Sequence, residues 1–170
     1  MQAIIRQLYI SPGHNFFGRH GQPADVNPTQ AVDQIMCRAG RGLEGDRFLD
    51  YKADYKGQAT FFDWSIYERI KMALAVPALS PGAFRRNVLI EGLDLNGLIG
   101  RRFRLGGVIF EGTGEAKPCY WMNQAVAPGA EAWLLGNGGL RTKILADGPL
   151  EIGAVECALV ESALSPAASQ

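Results

Sequence analysis

The chain has 170 residues, of which 47% are hydrophobic and 20% charged, an ordinary composition for one globular domain. Basic and acidic residues number 17 each, and this zero balance argues against bulk attraction to nucleic acid or to an anionic membrane. No signal peptide is evident, and no apolar run approaches the ~20 residues that span a bilayer. Three widely spaced cysteines indicate no disulfide framework, so we expect a cytoplasmic protein. From the charge balance and the absence of a long apolar run, we expect no nucleic-acid or membrane partner.

Short strands separated by turns dominate the predicted secondary structure. The apolar segment 3–10 predicts the first strand, and the polar residues 11–29 predict a long loop after it. Gly106-Gly107 is a favourable hairpin dipeptide between two later strands. In chain order, the predicted strands are 3–10, 31–37, 58–62, 87–90, 102–105, 108–111, 140–145, 150–152 and 155–160.

Helices are few in this pattern. Asp63 can cap a helix over residues 64–75, which Pro77 ends. Apolar residues recur there every four positions and form one stripe, namely Ile66, Ile70 and Leu74. A second helical stretch can lie within 119–135, where Pro128-Gly129 divides it.

The number of strands determines the predicted fold class. Eight or nine short strands with one or two helices favour a closed or half-closed β-barrel over a parallel sheet, whose neighbouring strands need crossover helices. We therefore expect a mainly β protein with minor helix. A single domain is predicted over residues 1–162, followed by a frayed tail over 163–170.

Cys119 is the cysteine with the strongest signal for chemistry. It follows Lys117 and Pro118 in a region rich in glycine, and a helix can begin there; a nearby cation and a helix start both favour a thiolate. Such a thiolate is suited to act as a nucleophile, a sulfur acceptor or a soft metal ligand. Cys37 and Cys157 lie in apolar strand patterns and are interpreted as small buried hydrophobic residues.

Arg85 and Arg86 precede the predicted apolar strand 87–90, which begins with Asn87. Alternation along a strand would direct one arginine inward and the other outward. An inward guanidinium can clamp a phosphate or carboxylate, and the amide of Asn87 can donate and accept hydrogen bonds. The alternative is a solvated surface pair of arginines closed by Glu91.

Two glycine-rich segments carry further candidates. Asp46 and Arg47 follow Gly45 in a turn, where Asp46 can read the N–H edge of a heterocycle, unless the two form an exposed ion pair. The segment 136–141 can cradle an anion beside Arg141, or can be a bare tight turn. The histidines of the long loop, His14 and His20, lack metal-ligand spacing, and whether they shape a pocket entrance stays open.

The order of these segments resembles the MOSC family, named after the C-terminal domain of molybdenum cofactor sulfurase. The resemblance spans about residues 3–160. Its most specific parts are Gly45-Asp46-Arg47, then Arg85-Arg86-Asn87 with Glu91-Gly92, and then Pro118-Cys119. The closing segment Ile152-Gly153-Ala154-Val155 also resembles the family's final strand.

The resemblance implies a barrel of the pyruvate-kinase type that binds a molybdenum–pterin cofactor (molybdopterin) at one end. Cys119 matches the metal-ligating cysteine of the amidoxime-reducing relatives, and Arg85 and Asn87 match residues that contact the cofactor. Asp46, Arg47, Arg86, Lys117 and Arg141 would surround the anionic group. Molybdenum is soft enough to favour a thiolate ligand.

Three functional hypotheses follow. The first is an oxidoreductase that reduces N-hydroxylated substrates, with Cys119 as the molybdenum ligand and a redox partner as electron donor. The second is a non-enzymatic carrier that delivers the cofactor, or sulfur held as a Cys119 persulfide, to a molybdoenzyme. The third is a module that binds a phosphorylated ligand through the arginines alone.

Overall fold

The structure is a computed structural model that describes residues 1–15 and 23–161, and most of its regular structure is β-strand. The predicted tail over 163–170 lies outside the described residues. Within them, the strands are β1 (Gln2–Ile10), β2 (Gln30–Val32), β3 (Gln34–Arg38), β4 (Gly42–Leu43), β5 (Ala59–Asp63), β6 (Val88–Glu91), β7 (Arg102–Leu105), β8 (Val108–Glu115), β9 (Leu140–Ile144), β10 (Gly148–Glu151) and β11 (Gly153–Val160).

Seven strands close into a barrel. They follow the order β1, β6, β5, β9, β8, β7 and β11, and the ring is completed because β11 also pairs with β1. Strand β2 adds to β1, while β10, β3 and β4 form a separate small sheet. The mainly β class and the closed barrel are confirmed.

The predicted number of strands was too low. The described residues contain eleven strands rather than eight or nine. Asp33 interrupts the predicted strand 31–37, so that β2 joins the barrel strand β1 and β3 joins the small sheet. Strand β4 has only two residues, too few for any hydrophobic period to appear in the sequence.

Three short helices lie among the described residues: α1 (Trp64–Ala73), α2 (Trp121–Ala125) and α3 (Ala130–Trp133). Asp63 caps α1 as predicted, accepting a hydrogen bond from Ser65 N at 2.7 Å. Helix α1 ends before residue 75 because Ala75 adopts a left-handed backbone with φ of 52°. None of these helices has the length and apolar character needed to cross a membrane.

Alternation along β5 links two cores. Phe61 faces the barrel interior, where its ring centroid lies 5.2 Å from that of Phe110 and 5.9 Å from that of Phe103. The next side chain, Phe62, points to the other face, stacks on Phe84 at 4.4 Å and packs with the apolar stripe of α1. Helix α1 connects β5 to the parallel strand β6, the crossover that such a pair requires.

The same strands bring chemistry-bearing residues together. Thr60 of β5 is opposite Arg141 of β9. Ala116 directly follows β8, and Arg86 lies two residues before β6. Because β5, β6, β8 and β9 are neighbours in the barrel, these positions surround one region of its surface.

Removing the cap of α1 tests its contribution to stability. Asp63→Ala deletes the acceptor for Ser65 N, so we expect unfolding to be easier by about 1 kcal/mol. Asp63→Asn retains a side-chain oxygen and should remain close to wild type. Urea denaturation of the three proteins measures the difference, and equal losses for both variants would contradict a capping role.

Candidate functional site

A cavity of about 300 Å³ opens beside the barrel, and positive charge dominates its wall. Among the described residues that line it, none is an aspartate or a glutamate. Six of the eight residues selected from the sequence line this cavity: Arg47, Arg85, Arg86, Lys117, Cys119 and Arg141. Asp46 and Asn87 do not line it, and both are buried beneath the surface.

Arg86 is held by neutral acceptors from the backbone. Its guanidinium donates to Gly138 O at 3.0 Å, Phe84 O at 3.0 Å and Ala116 O at 2.8 Å. Burial lowers its pKa to about 10, helped by Arg141 and Arg47 and opposed by the nearby Cys119, so Arg86 stays cationic at neutral pH. A guanidinium has five N–H donors, so two of them are not used by these bonds.

Arg85 anchors the loop that follows β1. Its four terminal N–H groups all donate to acceptors on that loop: Ser11 Oγ at 2.6 Å, Gly13 O at 2.7 Å, Thr29 Oγ1 at 3.1 Å and Asn27 O at 3.2 Å. Burial lowers the pKa of Arg85 to about 10, with a further contribution from Arg47. Arg85 therefore supplies charge to the cavity while its fork of donors holds the loop.

The backbone at Arg85 explains why both arginines line the cavity. The strand was predicted to begin at Asn87, with the preceding pair alternating between inside and outside. Instead, a 3-10 helix (Pro81–Phe84) ends at Arg85, whose φ of 53° and ψ of 36° are left-handed. This turn removes the alternation, and the prediction of one outward arginine is wrong. Glu91 pairs with Arg6 rather than with either arginine, so the alternative surface pair is also wrong.

Asp46 and Asn87 form a buried network behind the cavity. The Asp46 carboxylate accepts from Ser11 N at 3.0 Å, Phe48 N at 3.1 Å and Asn87 Nδ2 at 3.2 Å. The Asn87 Oδ1 atom accepts from both the N–H and the hydroxyl of Thr60. These bonds turn the Asp46 carboxylate toward the protein, and its burial rules out the exposed ion pair considered from the sequence.

Arg47 is a cation of the cavity wall with an unsatisfied buried donor. Its Nε is, among the described residues, the buried side-chain nitrogen or oxygen that has no hydrogen-bond partner. Its guanidinium lies 4.5 Å from the Phe48 ring centroid and 3.6 Å from the Asp46 carboxylate. Burial lowers the pKa of Arg47, although Asp46 opposes the shift. A buried donor without a partner favours an acceptor from a ligand.

Cys119 is exposed at the cavity wall, whereas Cys37 and Cys157 are buried, as the sequence indicated. Burial raises the pKa of the Cys37 thiol to about 12 and also raises that of Cys157, which keeps both as thiols. The helix predicted to open at Cys119 begins two residues later, at Trp121. Cys119 therefore belongs to the segment between β8 and α2, and its carbonyl accepts from Met122 N at 2.8 Å.

The glycine-rich turn before β9 has a packing role. A side chain at Gly138 would approach Ala116 O at 2.4 Å, and Gly139 has φ of 103°. Gly138 N donates to the Glu115 carboxylate at 3.2 Å. The sequence had suggested that the segment 136–141 cradles an anion. Of its residues, Arg141 lines the cavity and the glycines do not.

Sequence reasoning missed the ring-bearing side chains of the cavity, which include Phe48 and Tyr55. His14, whose role was left open, also lines the cavity, and His20 lies outside the described residues. Burial lowers the pKa of His14, and the cations Arg47 and Arg85 lower it further while Asp46 opposes them. His14 is therefore expected to be neutral at pH 7.

Replacing Asp46 tests the buried network. Asp46→Asn puts an amide group where the carboxylate accepts three N–H donors, so we expect a loss of about 1–3 kcal/mol in unfolding free energy. Asp50→Asn, in an exposed ion pair with Arg41, is the matched control and should change stability little. Denaturant titration measures both, and equal effects would contradict a special role for the network.

The titration of His14 tests the cationic surroundings. Its midpoint should fall below the ordinary pKa of 6.5 and should rise in Arg47→Gln, which removes one repelling charge. Because the folded pKa is lowered, the unfolded chain takes the proton first, and the contribution of His14 to stability decreases as pH falls below about 6.5. NMR of the imidazole measures the midpoint; a value at or above 6.5 in the wild type would contradict this electrostatic environment.

A family model described as the MOSC domain matches residues 54–142, more than half of the chain. No curated protein gives a significant match.

Solved structures share the fold. The YuaD protein from Bacillus subtilis aligns with a TM-score of 0.72 and 19% identity, covering 95% of this chain and 98% of that chain. YiiM from Geobacillus stearothermophilus aligns with a TM-score of 0.68 and 15% identity, covering 95% of this chain and 77% of that chain. YiiM from Escherichia coli aligns with a TM-score of 0.66 and 19% identity, covering 95% of this chain and 71% of that chain. At these identities the likeness concerns the fold alone, whereas the family model establishes membership: the chain belongs to the MOSC domain family.

Proposed function

We propose that the cationic cavity binds a molybdenum–pterin cofactor, with Cys119 as the thiolate ligand of the metal. The observation that carries this proposal is the combination of five cationic side chains and one exposed thiol on the wall of one cavity. The MOSC family is associated with molybdenum cofactor binding. A phosphorylated, anionic cofactor with a thiophilic metal matches both features of the wall.

The hydrogen-bonding state of the arginines supports this fit. Arg47 Nε is buried and has no hydrogen-bond partner among the residues that the structure describes, and Arg86 has donors beyond the three that it gives to carbonyls. These two guanidiniums, with Arg141 and Lys117, are the groups that would bind the anionic part of the cofactor. Arg85 would contribute its charge without donating hydrogen bonds to the cofactor, because its terminal N–H groups already donate to the loop.

An oxidoreductase that acts on N-hydroxylated substrates is the activity we favour for this site. When bound, such a cofactor would supply a two-electron reduction that breaks the N–O bond; the oxygen leaves as water, with electrons from a redox partner protein and protons from solvent. This chain's residues would fix the cofactor by charge, orient it through Cys119 and confine the substrate beside His14 and Phe48. His14 and Phe48 both belong to the wall of the cavity, and this wall would surround the substrate on several sides.

A carrier function is the second candidate, and the exposure of Cys119 favours it. A persulfide on an exposed thiol would be accessible to a molybdoenzyme, and its negative charge would be stabilised by the same cations. A carrier should transfer sulfur or cofactor to an apo-enzyme and show no turnover with electron donors. If Cys119→Ser retained full affinity for a phosphorylated ligand, a simple binding module would be supported over both alternatives.

Metal analysis of protein made in a cofactor-producing host, purified without oxygen, tests the proposal. The wild type should retain stoichiometric molybdenum, and Cys119→Ser should lose nearly all of it because a hydroxyl is a poor ligand for a soft metal. Cys37→Ala, which removes a buried thiol, is the control and should retain the metal. Absence of molybdenum from the wild type, or equal retention in Cys119→Ser, would contradict Cys119 ligation.

A further inference from the structure

The barrel end opposite the cationic cavity carries a groove that the proposed function does not use. The cavity is lined by residues that follow β1 or precede β6, such as His14 and Arg86. The groove instead involves Met1, which precedes β1, and Leu93, which follows β6. Because the start and the end of a strand lie at different ends of a barrel, the groove and the cavity lie on opposite sides of the molecule.

Apolar side chains form the centre of the groove, which has a volume of about 240 Å³. Leu93 and Leu98 are buried there, whereas Met1 is 64% exposed and Leu159 of β11 is 45% exposed. Ile99, next to Leu98 in the chain, is another exposed apolar residue. Isolated apolar residues are common on protein surfaces, but a contiguous apolar patch is typical of an interface.

Main-chain and capping hydrogen bonds hold the walls of the groove. The carbonyl of Met1 accepts from Cys157 N at 2.8 Å, which joins the start of β1 to β11. On the other side, Gly97 N donates to the Asp94 carboxylate at 3.1 Å and Leu98 N donates to Leu95 O at 3.2 Å. The groove is therefore formed before any partner binds, and this reduces the entropy lost on association.

One carboxylate and one cation border the apolar centre. Asp94 and Arg101 both line the groove, and among the described residues neither takes part in an ion pair. Asp94 also lines a neighbouring cavity with Asp63, whereas Arg101 also lines a second groove with Val160. The two charges therefore border different sides of the apolar centre.

A second copy of this chain is the occupant that matches this arrangement. A two-fold axis places each residue of a patch opposite a different residue of the same patch. Asp94 of one protomer would then face Arg101 of the partner subunit, and the reciprocal pair would form across the axis. An acidic or a basic protein would satisfy one of these charges and repel the other. Residues 162–170 contain no charged side chain and could satisfy neither.

We infer that this groove is the interface of a symmetric homodimer. The exposed side chains of Met1 and Leu159 contact the apolar centre of the other groove, and Asp94 and Arg101 form reciprocal ion pairs. The inference does not depend on the function proposed for the cavity. Because each cavity lies at the other end of its barrel, both cavities open away from the interface and stay accessible.

Charge reversal followed by a double swap tests the inference, with sedimentation velocity over a wide range of concentrations as the measurement. The wild type should dimerise reversibly. Asp94→Arg and Arg101→Asp should each raise the dimer dissociation constant by about tenfold or more, because each replaces two ion pairs with two like-charge contacts. Combining the two substitutions restores opposite charges and should return the constant to within about threefold of wild type.

Control variants separate this interface from a general effect of charge. Asp33→Arg and Arg104→Asp make the same charge changes at exposed positions that line neither groove, and the dissociation constant should not change. Leu159→Glu tests the apolar contact and should raise the constant by about a hundredfold, because the interface would bury an unpaired carboxylate. An unchanged NMR signal from His14, at the other barrel end, reports that each variant is folded.

The possible outcomes are distinct. A wild type that stays monomeric at the highest concentration would overturn the inference, as would single reversals that dimerise as tightly as wild type. Equal weakening by the control reversals would also overturn it. If the double swap does not recover dimerisation, the reciprocal pairing of Asp94 with Arg101 is wrong. None of these outcomes depends on whether the cavity binds molybdenum.

Discussion

Uncompensated positive charge is the constraint on which the site depends. Arg86 and Arg85 are stabilised mainly by carbonyl and hydroxyl oxygens rather than by carboxylates. Such acceptors satisfy hydrogen bonds but do not cancel charge, and the lowered pKa of each arginine reflects that cost. The fold therefore maintains an electrostatic strain that an anionic ligand would relieve, and this strain is the physical basis of the anion binding proposed for the cavity.

The buried carboxylate of Asp46 offsets only part of this charge. It lies 3.6 Å from Arg47, and its oxygens accept hydrogen bonds from two backbone N–H groups and from Asn87. Since Asn87 also bonds Thr60 of β5 and Tyr9 O of β1, the carboxylate is held by the barrel itself. Asp46 thus fixes the turn that presents Arg47 and Phe48, while Arg47 Nε finds no hydrogen-bond partner within the described part of the chain.

The sequence predicted the barrel and all five cationic lining residues, because strand periodicity and motif order can be recognised in the sequence itself. It did not predict the direction of Arg85, since the left-handed turn there depends on the loop that its guanidinium anchors. The ring cluster of Phe48, Tyr51 and Tyr55 was missed although these residues recur at spacings of three and four. Such spacing is typical of a helical stripe, but here it occurs in a segment without a helix, where Asp50 and Asp54 have left-handed backbones.

Arg86 connects the charge of the cavity to the position of the thiol. It bonds Ala116, three residues before Cys119, and Gly138, on the turn that packs against that segment. These acceptors lie on separate chain segments and engage different guanidinium nitrogens, an arrangement that the point charge of a lysine could not reproduce. The same side chain therefore adds positive charge to the cavity and orders the segment that carries Cys119, so the cost of burying this cation is offset by two structural contacts.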